Sequence, residues 1–508
     1  MKKIIYILLC LLVLCGCVKQ NYQDQPQPTF NTVATEDVTQ SATHCIEPAT
    51  EPTVETTTAP ETKPVAGTTT PPATEPSETV ESTTEPVVYP TETAPPETTD
   101  PTIPETTTPP TTLPEKSLEE LIKDGTYMLC REFEFYKGSV SMSEIQTISF
   151  SRTTPSNYDE CWSANVAKTN DIMGYRIGAD VIIVGEHIYV HSDGRYMFAA
   201  HDTFGGALWS NLMSVNGLEL LNTSYTRDIS YMFFGGKFTS LHGLEYWNVG
   251  SVNEMKCTFA ECTNITTLNI GSWNVSSVTN FSGMFQGHDH VGDMKLQHLD
   301  IGSWNTSSAL SMSHMFYGCG TLTYIPVENW NVSRVGSFSH MFADCFSLQS
   351  IDFSNWETLS ARSFDAFLND CRSLTSIDVS GLDTATCIQF SQMFEACTNL
   401  QYIIGLDTWD VSSANDYAFS ETFHCCYSLK ELDLSSWHAT PDNTARMFKN
   451  CYSLETVDMS GFNMYSIQHV TEMFMGCSCL LEIIGTEEWN LENVNGFDSM
   501  YDGTIFEK

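Results

Sequence analysis

From about residue 196 onward, apolar and polar positions recur in one pattern, well represented by the stretch 333–356. Within it Val335, Phe338, Met341, Phe342 and Cys345 stand three or four apart, the spacing of one face of a short helix, with Ser333 placed to cap its start. Leu348, Ile351 and Phe353 follow. The last two flank the polar Asp352 with the alternation of a short strand buried on one side, and Trp356 closes the unit. The pattern predicts strand, turn, short helix and then the next strand.

Aligned on the second aromatic of the Met-Phe pair, the unit recurs at Phe233, Phe259, Phe285, Phe316, Phe342, Phe367, Phe394, Phe423, Phe448 and Phe474, at intervals of 26, 26, 31, 26, 25, 27, 29, 25 and 26. Met197-Phe198 reads as a looser unit in front and Met500-Tyr501 as a truncated one behind. Such a period marks a solenoid or a related array, and Cys-x-x-Leu-x-x-Ile-x-Phe has the spacing of a leucine-rich repeat. Ordering each residue's backbone costs roughly 1–2 kcal/mol, while a buried apolar side chain returns roughly 1.5–3 kcal/mol, so no unit stands alone and stacking must supply the rest. The expected fold is an α/β leucine-rich-repeat solenoid of about 10–12 units, with short parallel strands and short helices, forming a curved rod roughly 50 Å long.

Ahead of the repeats, Ser117–Gly125 reads as a short helix stopped by glycine, followed by strand-like runs at Thr147–Phe150 and Asp180–Val184. His187–His191 leads into Ser192-Asp193-Gly194-Arg195, a hairpin turn signal. The reading is a small α+β segment over 117–195 that covers the first exposed rung of the repeats at 196–508. Only Tyr501–Lys508 is left as a cap at the other end.

The N-terminus changes the picture. Met1-Lys2-Lys3 and the apolar run Ile4–Leu14 form a secretory signal too short for a confident membrane span. Leu14-Cys15-Gly16-Cys17 resembles the bacterial lipobox, which implies a signal peptide over 1–16 and lipidation of Cys17. Acyl chains there would hold the protein at a membrane. Residues 17–116 are dominated by Thr, Pro and Glu and lack the apolar content of a core, so they are expected to be a disordered stalk with a reach of roughly 300 Å.

With 23 Lys+Arg against 63 Asp+Glu and a formal charge of -40, nucleic acid is excluded as a partner. Two side-chain ladders follow the period. Asp300, Asp352, Asp378, Asp433 and Asp458 point away from the core, either bonding turn amides or offering carboxylates to a cation. Cys262, Cys319, Cys345, Cys371, Cys397, Cys426, Cys451 and Cys477 follow the aligned Phe by three or four residues and are expected to be buried free thiols, with disulfides between neighbours as the alternative. His288, His290 and His298, and separately His187 and His191, are the histidine groups to test for metal, although the expectation is no metal and no cofactor. No nucleophile elbow, metalloprotease helix motif or phosphate-cradling loop is present, so no catalytic residue is assigned.

Units such as Trp273-Asn-Val-Ser-Ser-Val-Thr-Asn-Phe-Ser-Gly-Met-Phe285 and Phe394-Glu-Ala-Cys-Thr-Asn-Leu400 resemble the BspA-like leucine-rich-repeat bacterial surface proteins. Ile188–Arg195 is similar to the stretch that precedes their repeats. Departures are few: Phe367 follows Ala, Phe259 and Phe423 follow Thr, and Leu382 and Phe462 replace Trp. The resemblance implies a lipid-anchored, surface-exposed protein that binds a protein or glycan partner at the cell surface or in host matrix. An envelope scaffold is the alternative, and a surface enzyme with its site in 117–195 a lesser one.

Overall fold

The structure is a computed structural model and describes residues 116–288, 293–487, 489–491 and 494–507. The signal segment, Cys17, the stalk up to residue 115 and His290 lie outside the described residues.

The described chain begins with helix α1, Leu118–Lys123, capped by Ser117 in a reciprocal capping box with Glu120. Five strands follow in one mixed sheet: β1 Thr147–Ser151, β2 Glu160–Ser163, β3 Ile172–Ile177, β4 Asp180–Gly185 and β6 Ser214–Asn216. Their order is β2-β3-β4-β1-β6, antiparallel from β2 to β4 and parallel from β4 through β1 to β6. The hairpin of this region lies at Gly178-Ala179, between β3 and β4. The one expected at 192–195 does not form. Instead β5, Ile188–Tyr189, pairs in parallel with β7, Leu221–Asn222, and Asp193 bridges in parallel to Asp228. That turn is already a step between rungs of the stack. Phe150 meets Phe198 at 6.1 Å and Phe135 stacks on Trp209 at 5.8 Å, joining the sheet's buried side to the first rungs in one core.

The rest is a repeat solenoid with two columns of backbone contacts. One is a column of short parallel strands: β8 Thr267–Leu268 with β9 His298–Leu299, β10 Ser376–Asp378 with β11 Tyr402–Ile404, and β12 Glu431–Asp433, β13 Thr456–Asp458 and β14 Glu482–Ile484 together. No strand is formed at Ile325-Pro326-Val327 or Ile351–Phe353, and Pro326 has no N–H with which to continue a ladder. The short helices of the repeats are single 3-10 turns, such as Leu244–Tyr246 and Leu406–Thr408, which follow the strand position.

The second column runs through the Met-Phe segments, and here the expected helix over 333–345 is replaced by consecutive turns. Phe338, His340, Phe342 and Asp344 donate their amides to Ser363, Asp365, Phe367 and Asn369 of the next rung, whereas Met341, Ala343 and Cys345 close turns on Phe338, His340 and Phe342. Amides committed to the neighbouring rung cannot complete an i to i-4 ladder. His340 and Asp344 also adopt left-handed φ of 56° and 59°, which an α-helix does not allow. The burial pattern was nevertheless correct, because Val335, Phe338, Met341, Phe342 and Cys345 are all buried.

The same hydrogen bonds set the register. Phe316 donates to Met341 and Phe342 donates to Phe367, so Phe367 occupies the Met position and Leu368, which donates to Met393, the Phe position. The intervals 25 and 27 around Phe367 become 26 and 26. Phe198 donates to Met232 and Phe474 to Met500, which brings Met197-Phe198 and Met500-Tyr501 into the column and makes twelve registered rungs among the described residues.

Candidate functional site

Each turn of the column has two variable positions, one two residues before the Phe position and one directly after it, and at many rungs, though not all, their side chains reach the surface. The first of these has left-handed backbone at Tyr196, Tyr231, His314, His340, Gln392, Glu421, Arg446 and Glu472. Its chemistry changes along the rod. Tyr196 stacks on Tyr231 at 4.9 Å, with Lys256 5.8 Å from the Tyr231 ring centre. Farther along, His314 stacks on His340 at 4.6 Å. Burial pushes the Tyr196 and Tyr231 hydroxyls up.

Toward the C-terminal rungs the column becomes a charged network that no sequence motif announced. Glu395 accepts from Asn369 at 2.9 Å and from Gln392 at 2.7 Å, and its other oxygen meets His424 Nδ1 at 2.9 Å. Glu421 accepts from Gln392 at 2.9 Å and from Arg446 at 2.9 Å. Arg446 and Lys449 both donate to Glu472 at 2.8 Å. Burial pushes the Glu472 carboxyl up, but these two cations outweigh it and hold the group below its ordinary value. Donor atoms of Glu395, Glu421 and His424 lie within 4.8 Å of one another, close enough for one cation to bridge. All four carboxylate oxygens of Glu395 and Glu421 already meet a nitrogen, however, so hydrogen bonding accounts for the arrangement. The signal in the sequence was positional: charged or amide side chains at the same two offsets in successive units.

A family model described as "Mycoplasma protein of unknown function, DUF285" matches residues 195–295, 288–405 and 388–507. The chain belongs to this family. Among solved structures, a leucine-rich repeat protein from Eubacterium ventriosum is similar at 13% identity and a TM-score of 0.33, over 64% of this chain and 78% of that one. Another from Bacteroides ovatus is similar at 14% identity and a TM-score of 0.32, over 71% of this chain and 74% of that one. No curated protein sequence matches.

In this DUF285 chain four of the five ladder aspartates, all but Asp300, bond turn amides. Asp352, Asp378, Asp433 and Asp458 accept from the amides of Ser354, Ser380, Ser435 and Ser460 at 2.8 to 3.0 Å. Bonds from the Ser354 amide and hydroxyl hold the Asp352 carboxyl below its ordinary range, and the Ser435 hydroxyl and amide do the same for Asp433. All eight ladder cysteines are buried free thiols. With the register corrected, each follows its Phe position by three residues, and each S–H donates to the Phe-position carbonyl of the rung before, as from Cys345 to Phe316 and from Cys397 to Leu368. His288 and His201 both approach Glu261, at 3.4 and 3.3 Å, while His298 lies on β9. His187 packs edge-on against Tyr127, and His191 accepts from the Asp193 amide.

The strand column also carries exposed apolar side chains, although the largest exposures in the repeats, at Phe204, Tyr246 and Tyr465, lie off it. Tyr402 and Ile404 point outward from β11 at 47% and 56% exposure, near the outward carboxylates Asp378 of β10 and Glu431 and Asp433 of β12, and Lys430, just before β12, lies 5.9 Å from the Tyr402 ring centre. Tyr324, Leu481 and Ile484 are exposed on other rungs of the same column. Outward apolar anchors set among carboxylates suit contact with a surface that is itself apolar and basic.

Proposed function

We propose that the protein is a surface-displayed binding protein that engages a protein partner through the outward side chains of the strand column. The observation that carries this reading is the exposure of Tyr402 and Ile404 beside the carboxylates of Asp378, Glu431 and Asp433 on the repeat scaffold. Aromatic side chains in such a setting are the usual anchors of an interface, and flanking charge selects the partner. The partner's contact surface then carries Lys or Arg around an apolar pocket.

The rest of the proposal comes from the N-terminal sequence and from the resemblance to BspA-like surface proteins. A signal peptide over 1–16 is removed, Cys17 takes a lipid that anchors the chain in the cell membrane, and 17–116 serves as the stalk that carries 117–508 outward. Adhesion to a host-matrix protein or glycan is the form this binding takes in the proposal.

The test is binding of the intact chain to an array of matrix proteins and glycans, alongside a Tyr402→Ala/Ile404→Ala variant. Saturable binding that the double variant abolishes supports the reading. An array with no binding by a chain shown folded by circular dichroism would sink it and leave the envelope scaffold. For the anchor, a Cys17→Ser chain that still partitions with membrane would rule out lipidation at that residue.

A further inference from the structure

The N-terminal sheet region holds a cavity of about 830 Å³ that the reading above does not use. Its volume lies within the roughly 300–1,000 Å³ of small-molecule sites. Phe133, Tyr136, Val140, Met142 and Val166 supply apolar lining. That lining is braced from behind. Tyr136 packs edge-on against Trp162 at 5.2 Å and donates its hydroxyl to the Val140 carbonyl, and the Trp162 indole donates to the Phe135 carbonyl at 2.7 Å. Burial, ahead of the nearby Glu160 carboxylate, pushes the Tyr136 hydroxyl up to about 12.

The charge here opposes that of the chain. Overall, 23 Lys+Arg face 63 Asp+Glu, yet the cavity is lined by Arg131, Lys137 and Lys168 against the single carboxylate Glu134. That carboxylate is already engaged by Arg131, at 3.7 Å. Neither Lys137 nor Lys168 forms an ion pair among the described residues, and Lys137 reaches only the Ser163 carbonyl, at 3.4 Å. In so acidic a protein, two lysines without a carboxylate beside an apolar wall form a cationic rim around a greasy floor.

We propose that this cavity binds a small organic carboxylate with an apolar body, its carboxylate at Lys137 and Lys168 and its body against Phe133, Tyr136 and Met142. A charge-assisted pair orients the ligand, and apolar area supplies most of the affinity. Neutral molecules of the same length lose the first contribution, and cations are repelled.

The experiment uses the intact chain, with decanoate as probe and decanol and decylamine as its neutral and cationic counterparts, in calorimetric titration below their micelle concentrations. Saturable one-site binding of decanoate is expected, with decanol weaker by about tenfold or more. Lys137→Glu/Lys168→Glu should weaken decanoate by at least that factor, while Lys430→Glu on the strand column should leave it unchanged. A second readout does not depend on charge variants: decanoate should slow alkylation of Cys130, which lines the cavity, and not of the exposed Cys161. Equal affinity for decanol, or a double variant with an unchanged circular dichroism spectrum and unchanged decanoate affinity, overturns the proposal. So does a titration without saturation.

Discussion

The turn column and the strand column run side by side along the same solenoid, but they are built to different tolerances. Backbone bonds join every successive rung of the turn column from Phe198 to Met500. Aromatic rings fill it, with Phe316 on Phe342 and Phe423 on Phe448 both at 5.6 Å. Strands, in contrast, form in separate groups of two or three, broken around Pro326 and between β11 and β12. The difference teaches that one column sets the register while the other is free to vary what it shows. Trp side chains link the two: the Trp330 and Trp356 indoles donate to Ile301 and Val327 of the preceding rung at 3.1 and 3.0 Å.

The comparison can be broken most completely with base. Burial raises seven ladder thiols, those of Cys262, Cys319, Cys345, Cys371, Cys397, Cys426 and Cys451, with Cys262 pushed up to about 12 from an ordinary 9.0. The unfolded chain releases these protons near the ordinary value while the folded chain retains them. Their contribution to stability is therefore whole below that value and is lost as pH climbs through the folded values. Urea midpoints should fall steeply from about pH 9 upward. Each Cys→Ala change in the ladder should reduce that slope by up to about 1.4 kcal/mol per pH unit. A flat midpoint across this range would mean that the thiols are accessible to solvent.

Single substitutions give smaller effects. Phe342→Ala removes a fully buried ring between Phe316 and the Leu368 rung, and should cost about 3–5 kcal/mol in denaturant unfolding. Arg446→Met in the turn column breaks the contacts to Glu421 and Glu472, but Arg446 is 45% exposed. Its cost should stay near 0–1 kcal/mol and shrink in high salt. Smallest of all, Tyr402→Ala on the strand column should change stability by no more than about 0.5 kcal/mol while weakening partner binding. A large loss of stability at Tyr402 would make the strand column structural and erase the contrast.

Much of this was legible in the sequence. The repeat, its apolar positions and the buried thiols all follow from a period that the side chains mark plainly. The conformation of Ser333–Cys345 was not legible, because spacing at three and four residues is shared by a helix and by successive i to i-3 turns. Which of them forms depends on amides captured by the next rung, a partner 25 residues away. Keying the alignment on Phe misplaced Phe367, although Cys371, three residues after Leu368, held the true register. The network around Glu395 was hidden for a related reason. Its members come from five consecutive rungs and adjoin only after stacking, and their side-chain types differ from unit to unit.

The left-handed residues of the turn column carry one more implication, for how this surface can diversify. Each such position disfavours a branched Cβ, since even an unbranched one costs roughly 1–2 kcal/mol there. Among the described residues, the non-glycine residues of the column in that conformation are Tyr, His, Gln, Glu, Asp, Asn, Arg, Cys and Ala, with no Val, Ile or Thr among them. The column is written in a restricted alphabet: charge, aromaticity and amides can be exchanged rung by rung, while β-branched side chains are kept out by the backbone itself.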